Sequence, residues 1–218
     1  DKPSIIYQVE RIKQIKKDCE IIVGIPDNKS NDKLKQILIS NKVNYFEGDE
    51  QNVFKRFLDC ALKYNPDIII RINGDCPLIS PSSIDKTIST FFENPNADYV
   101  STTLDKSYPI GEHVELFTLN ALKIASKLEL THQLKEHVTP IFYKNQKIFN
   151  CINVKKTFNY PNNLRLCVDY EKDFKLICLI AKHFYPKINF DVEDIIGFIL
   201  RNPLLIKINS EYKKSRTI

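Results

Sequence analysis

The stretch Ile68-Ile69-Ile70-Arg71-Ile72-Asn73-Gly74-Asp75-Cys76-Pro77-Leu78 runs a block of β-branched residues into a turn that carries a carboxylate. A short, continuous apolar run bounded by Pro66-Asp67 and Asn73-Gly74 reads as a buried strand. Its end delivers Asp75. Gly74 permits a sharp turn and the close approach of a ligand to the backbone, and Pro77 stiffens the exit. A carboxylate held in this way is a natural Mg²⁺ ligand, because that ion takes one or two carboxylates together with phosphate oxygens and waters. The plainer alternative is an Asp that caps the turn.

Upstream of this stretch, elements alternate. Ile5, Val9 and Ile12 follow helical spacing after Pro3; residues 20–25 are strand-like; Leu34, Ile37 and Leu38 mark a helix. Residues 43–46 predict a strand, and Phe54, Phe57, Leu58 and Ala61 a helix. Downstream, Pro81-Ser82 opens a helix carrying Ile84, Ile88, Phe91 and Phe92, and residues 97–103 form a strand. Such alternation predicts an α/β fold with a mostly parallel sheet covered on both faces, binding its ligand beyond the C-terminal ends of its strands. The second half is less regular: strands over 114–117, 149–154 and 164–168, helices over 119–128 and 134–143, then two helices around Phe174–Phe184 and Val192–Leu200. With 218 residues and no visible linker, we expect one domain over 1–218, a nucleotide- and metal-binding half at 1–105 and an acceptor-binding half at 106–218.

A 43% apolar composition supplies ample core and argues against disorder. The charge of +5 is spread among interspersed residues of both signs, so no nucleic-acid partner is expected. No apolar run reaches the roughly 20 residues that span a bilayer, and no signal peptide is visible, so no membrane partner is expected either. The six Cys form no C-x-x-C pair and several lie in apolar runs; they read as reduced core residues of a cytoplasmic protein.

Three further clusters concentrate polar groups. Arg165 lies in the 164–168 strand, and Asp169, Glu171 and Asp173 follow it; Asp169 falls at its end, so that Asp75 and Asp169 together would clamp Mg²⁺ around a triphosphate. Asp173, in the first turn of a helix, reads as structural. Tyr108 to Glu115 packs Glu112, His113 and Glu115 around Gly111, and Lys135 to Pro140 holds Glu136 and His137. Zinc spacing is absent. These clusters suit a hydroxylated, anionic substrate. His132 and His183 read as surface residues.

Taken in order, these motifs resemble one family. Arg71 to Ile79 is similar to the R-I-x-G-D-C-P-L-I signature of the spore-coat polysaccharide (SpsF-like) cytidylyltransferases, relatives of the acylneuraminate and 3-deoxy-manno-octulosonate cytidylyltransferases. Phe46 to Arg56, Tyr108 to Phe117, Glu136 to Pro140, Arg165 to Phe174 and Asn202-Pro203 with Asn209 resemble the family's later motifs. The resemblance implies a Rossmann-like, GT-A-like nucleotidyltransferase fold of three layers. It also implies Mg²⁺-dependent transfer of CMP from CTP to a sugar or sugar acid for surface polysaccharide synthesis. Asp75 and Asp169 would be the catalytic metal ligands. Gly48, Asn52, Arg71 and Gly74 would serve the nucleotide; Tyr108, His113, Glu115, Glu136, His137 and Arg165 would face the acceptor. A homodimer is implied as well, sought in the irregular 108–143 region.

The chain departs from the pattern in three places. Lys135 stands where Arg commonly precedes E-H-V-T, and His113 where many members have Asp, which leaves the acceptor's identity open. The chain starts at Asp1-Lys2-Pro3 without a Met anywhere, so it reads as a fragment lacking the family's first strand and its basic, triphosphate-cradling loop. These 218 residues alone are accordingly expected to bind CTP poorly and turn over slowly or not at all. A nucleotide-sugar-dependent GT-A glycosyltransferase is the competing class; the absence of a second Asp beside Asp75, where such enzymes show D-x-D, favours the cytidylyltransferase. A non-catalytic, partner-binding remnant is the third.

Overall fold

A computed structural model describes residues 2–105, 107–156 and 158–212. Helix α1 (Ser4–Ile12) leads into β1 (Ile22–Pro26), α2 (Asp32–Ser40), β2 (Asn44–Gly48), α3 (Val53–Tyr64) and β3 (Ile68–Arg71). After the Gly74 turn come α4 (Pro81–Glu93), β4 (Tyr99–Ser101), β5 (Glu115–Thr118), α5 (Leu119–Ala125), α6 (His132–His137), α7 (Pro140–Lys144) and β6 (Cys151–Asn153). Helices α8 (Glu171–Phe184) and α9 (Val192–Arg201) complete the order.

Strands β1 and β2 pair in parallel, and a four-stranded sheet has the order β3-β5-β4-β6. In that sheet β3, β4 and β6 share one direction, as the alternating pattern predicts, whereas β5 runs against both of its neighbours. The sheet is therefore mixed rather than mostly parallel. Alternation along the strands sets the layers. Tyr99 and Phe117, opposite each other in the register, turn to a core with Phe54 of α3, Leu122 of α5 and Phe142 of α7; Val100 and Leu116 turn to a core with Ile84, Ile88 and Phe91 of α4. Three layers result.

Two expectations fail locally. The helix expected over 134–143 is broken at Val138, whose φ of 66° and ψ of −65° form a γ-turn closed by the Thr139 N–H on the His137 carbonyl at 2.8 Å. Pro140, without an N–H to donate, starts the next helix instead of continuing the first. Residues 164–168 are extended but pair only through an isolated Ile110–Arg165 bridge, so no strand ends at Val168. Among the cysteines, Cys76 and Cys167 are buried as expected, but Cys19 and Cys178 are exposed; all six are free thiols.

Candidate active site

The Asn73–Ile79 loop is two consecutive turns. The Asn73 carbonyl accepts the Cys76 N–H at 3.2 Å, and the Cys76 carbonyl accepts the Ile79 N–H at 3.1 Å. Gly74 is exposed, and a Cβ there would meet nothing within 4 Å, so the loop's tip is open to a ligand. The Asp75 carboxylate accepts the Cys76 thiol at 3.1 Å. Burial, with Asp75 beside it, pushes that thiol well above its usual range and keeps it a donor.

The second carboxylate arrives by a different route from the one expected. The extended 164–168 segment is hung from two single hydrogen bonds, Leu166 N–H to the Ile110 carbonyl at 2.7 Å and Val168 N–H to the Asp75 carbonyl at 2.8 Å. The latter fastens the chain one residue before Asp169 to the backbone of Asp75. Cys167 lies between them, in a small cluster with Cys76 and Ile110. Burial, with Asp169, Asp75 and Asp173 around it, lifts its thiol to about 12 against the opposing pull of Arg165. Both carboxylates keep solvent contact: Asp75 is half-buried and the Asp169 side chain is 48% exposed.

Charged neighbours are mostly spent on one another. Arg165 donates Nε to both oxygens of Asp173, at 3.1 and 3.2 Å, and Nη2 to Asp173 and Asp169. It is thus tied to two carboxylates of its own chain. Asp173 is fully buried and also accepts the Asn209 amide at 2.8 Å and the N–H groups of Asp169 and Tyr170. Burial alone would raise its carboxyl; Arg165, Asn209 and the backbone outweigh burial and hold it below the usual range. Its structural reading stands, on a pairing far stronger than a helix dipole.

Arg71 and Glu115 face each other across β3 and β5 and form an ion pair, with the Tyr99 hydroxyl donating to Glu115 at 2.6 Å and Phe57 under the guanidinium. Both are thus paired with residues of their own chain. Tyr108 is a core residue, edge-on to Phe158, its hydroxyl pushed up to about 12 by burial. Gly48 and Asn52 build the β2–α3 turn. A Cβ on Gly48 would meet Arg56 at 2.9 Å, and the Asn52 side-chain oxygen caps α3 by accepting the Lys55 N–H at 2.9 Å. Glu136 and His137 are exposed on α6, which packs on α3; His113 is half-buried at the edge of the Gly111 loop. His132 and His183 are exposed, as read, although His183 stacks on Phe198.

Sequence reasoning put Glu112 in the polar cluster around Gly111 but missed its full burial, where it accepts the Ser80 N–H and the hydroxyls of Ser80 and Ser83. It also passed over Gln8 and Arg11 of α1, which reach the carbonyls of the Asp75 loop. One signal was available: both are polar residues set among Ile5, Ile6, Val9 and Ile12, on a helix whose other inward positions are apolar.

A family model described as Cytidylyltransferase matches residues 1–185. The chain belongs to the cytidylyltransferase family. This cytidylyltransferase is 37% identical over 207 residues to an uncharacterised protein of Methanocaldococcus jannaschii, covering 94% of this chain and 83% of that one. It is 25% identical to the spore coat polysaccharide biosynthesis protein SpsF of Bacillus subtilis, over 91% and 82% of the two chains. The solved cytidylyltransferase from Leptospira borgpetersenii superposes with a TM-score of 0.87 at 26% identity, over all of this chain and 88% of the other. The CMP:2-keto-3-deoxy-manno-octonic acid synthetase solved with CTP shares the fold at a TM-score of 0.64 and 15% identity, over 83% and 88% of the chains. The expected α/β nucleotidyltransferase fold and enzyme class are thereby established.

Proposed function

We propose that this cytidylyltransferase transfers CMP from CTP to a hydroxyl of a sugar or sugar acid, releasing pyrophosphate, in the making of a surface polysaccharide or glycoconjugate. The observation that carries the reading is the Val168–Asp75 backbone bond, which brings two solvent-reached carboxylates, Asp75 and Asp169, to the open tip of one loop. The names of the curated relatives support the acceptor class.

The donor set fits Mg²⁺. Among the described residues no group of three or more His, Cys, Asp and Glu forms a closed metal cage. A hard ion that keeps several waters and takes phosphate oxygens needs no such cage. Asp75 and Asp169 would hold the ion, which when bound would neutralise charge on the triphosphate and align it. The rest is positioning: no covalent nucleophile is needed, and the chain's task is to keep two carboxylates fixed where the nucleotide's charge gathers. Asp169 would share its charge between the ion and Arg165, while the bonds from Arg165 to Asp173 would hold that guanidinium in place. Glu136, His137 and His113 would face the acceptor. We assign the enzyme to the cytoplasm as a homodimer, which sedimentation of the purified protein tests; no helix among the described residues is long and apolar enough to cross a membrane.

The test is pyrophosphate release from CTP, UTP, GTP or ATP with a panel of sugars and sugar acids. CTP-dependent release that rises with Mg²⁺ is expected, and Asp75→Asn is expected to lower it by about 10²–10³-fold, the usual cost of removing one group that stabilises transition-state charge. Sugar transfer from a nucleotide sugar without pyrophosphate release would overturn the reading in favour of a glycosyltransferase.

A further inference from the structure

We propose that Gln8 and Arg11 of α1 are positioning residues that set the Asp75 loop for metal binding. The proposal rests on the reading of Asp75 as a metal ligand. The two side chains lie one helical turn apart and are 2% and 0% exposed. Gln8 donates its amide to the Asn73 carbonyl at 2.7 Å and to the Cys76 carbonyl at 3.0 Å. Arg11 donates Nε to the Ile79 carbonyl and Nη2 to the Leu78 carbonyl, both at 3.1 Å. Its remaining bonds run to the Phe190 carbonyl at 2.7 Å and the Ile188 carbonyl at 2.5 Å, with the Phe190 ring 3.9 Å beneath the guanidinium.

Four carbonyls of one seven-residue loop are therefore drawn towards α1. The same loop leaves Gly74 exposed and the Asp75 side chain in contact with solvent. Gln8 is placed with particular economy: the two oxygens it holds are those that already accept the Cys76 and Ile79 N–H groups, so one amide locks both turns of the loop. Core packing alone would not select these residues. A buried guanidinium or amide is costly unless its donors are satisfied, and an apolar side chain of similar volume fills such a space more cheaply. What the polar pair adds is a fixed backbone two residues before Asp75, at Asn73, and one residue after it, at Cys76. A carboxylate meant for a metal must be held to within a fraction of an ångström, and supporting contacts of this kind typically affect metal affinity or activity by about 10–100-fold.

The experiment compares the full protein with its Gln8→Met, Arg11→Lys and Asp75→Asn variants, and with Gln14→Ala as a control at an exposed position in the turn just after that helix. Hydrogen exchange is read on the metal-free proteins at the Cys76 and Ile79 amides, followed by kcat, the acceptor KM and the half-saturating Mg²⁺ concentration. In Gln8→Met those two amides should exchange at least about tenfold faster. Half-saturating Mg²⁺ should rise by about 10–100-fold with the acceptor KM unchanged. Arg11→Lys, which cannot span four carbonyls, should shift the same quantities, and should Gln8→Met fail to fold, it carries the comparison. Wild-type exchange in both variants, or faster exchange with kcat and Mg²⁺ dependence within twofold of wild type, overturns the proposal while leaving Asp75 in place. Undiminished turnover by Asp75→Asn overturns the metal reading itself, and the proposal with it.

Discussion

At Glu112 a carboxyl group is buried completely among the Ser80 amide and two serine hydroxyls, and burial pushes it up to about 7 against the pull of those donors and of Arg11. A carboxyl raised in the folded state binds its proton more tightly there than in the unfolded chain. Its contribution is thus whole below pH 4.5, declines as pH rises, and is lost above 7; the span corresponds to about 3 kcal/mol. Glu112→Gln keeps the hydrogen-bonding capacity without the titration. Urea unfolding across pH 4.5 to 8 should show the variant close to wild type at the acid end and more stable by a few kcal/mol at the alkaline end. Residues such as this explain what could and could not be read beforehand. The position of Asp75 was legible because it follows from the strand before it and the glycine beside it. Arg71, Glu115 and Arg165 were legible as charged groups near the site, but not as partners. Arg71 and Glu115 are 44 positions apart and meet only because β5 turns back beside β3, and a list of charges carries no record of which ones cancel.

Across elements, that pairing has its own energetics. Arg71 and Glu115 are nearly buried, and Tyr99 completes the group. Arg71→Met should cost about 3–5 kcal/mol by stranding the Glu115 carboxylate. Adding Glu115→Gln should recover part of that loss, with a coupling energy of about 1–3 kcal/mol in a double-mutant cycle of unfolding free energies. The Gly111 loop makes a second element-scale case. Gly111 has φ +101°, and a Cβ on it would lie 2.6 Å from the Leu166 carbonyl carbon and 2.7 Å from its oxygen. Gly111→Ala must therefore push the 164–168 segment away from the Ile110 backbone. We expect a loss of at least about 1–3 kcal/mol, together with a fall in activity, since the same segment hangs Asp169 beside Asp75. Thermal unfolding and pyrophosphate release check the two halves of that statement. Helices α4, α8 and α9 were legible because one periodic apolar face decides each of them. Residues 164–168 were misread as a strand because their apolar pattern specifies extended backbone, whereas a strand also requires a neighbour, and the neighbour here is a loop that meets them at a single bridge.

For the whole molecule, the two halves drawn at residue 105 are interleaved. Strand β5 of the second half lies between β3 and β4 of the first, and Arg11 reaches Ile188 and Phe190 near the other end of the described chain. We expect one cooperative transition in calorimetry, with calorimetric and van't Hoff enthalpies in agreement. Two separable transitions would mean that the halves are independent units after all. The reversed β5 has a further consequence, for the chain while it is being made. Residues leave the ribosome in order, so β3 and β4 emerge before the strand that must slot between them. During that interval each offers an unpaired, Ile- and Val-rich edge with no partner of its own, the kind of surface on which nascent polypeptides stick to one another. The sheet closes from the inside outward only once Glu115–Thr118 has been synthesised, which makes the thirteen residues 102–114 a delay line in translation.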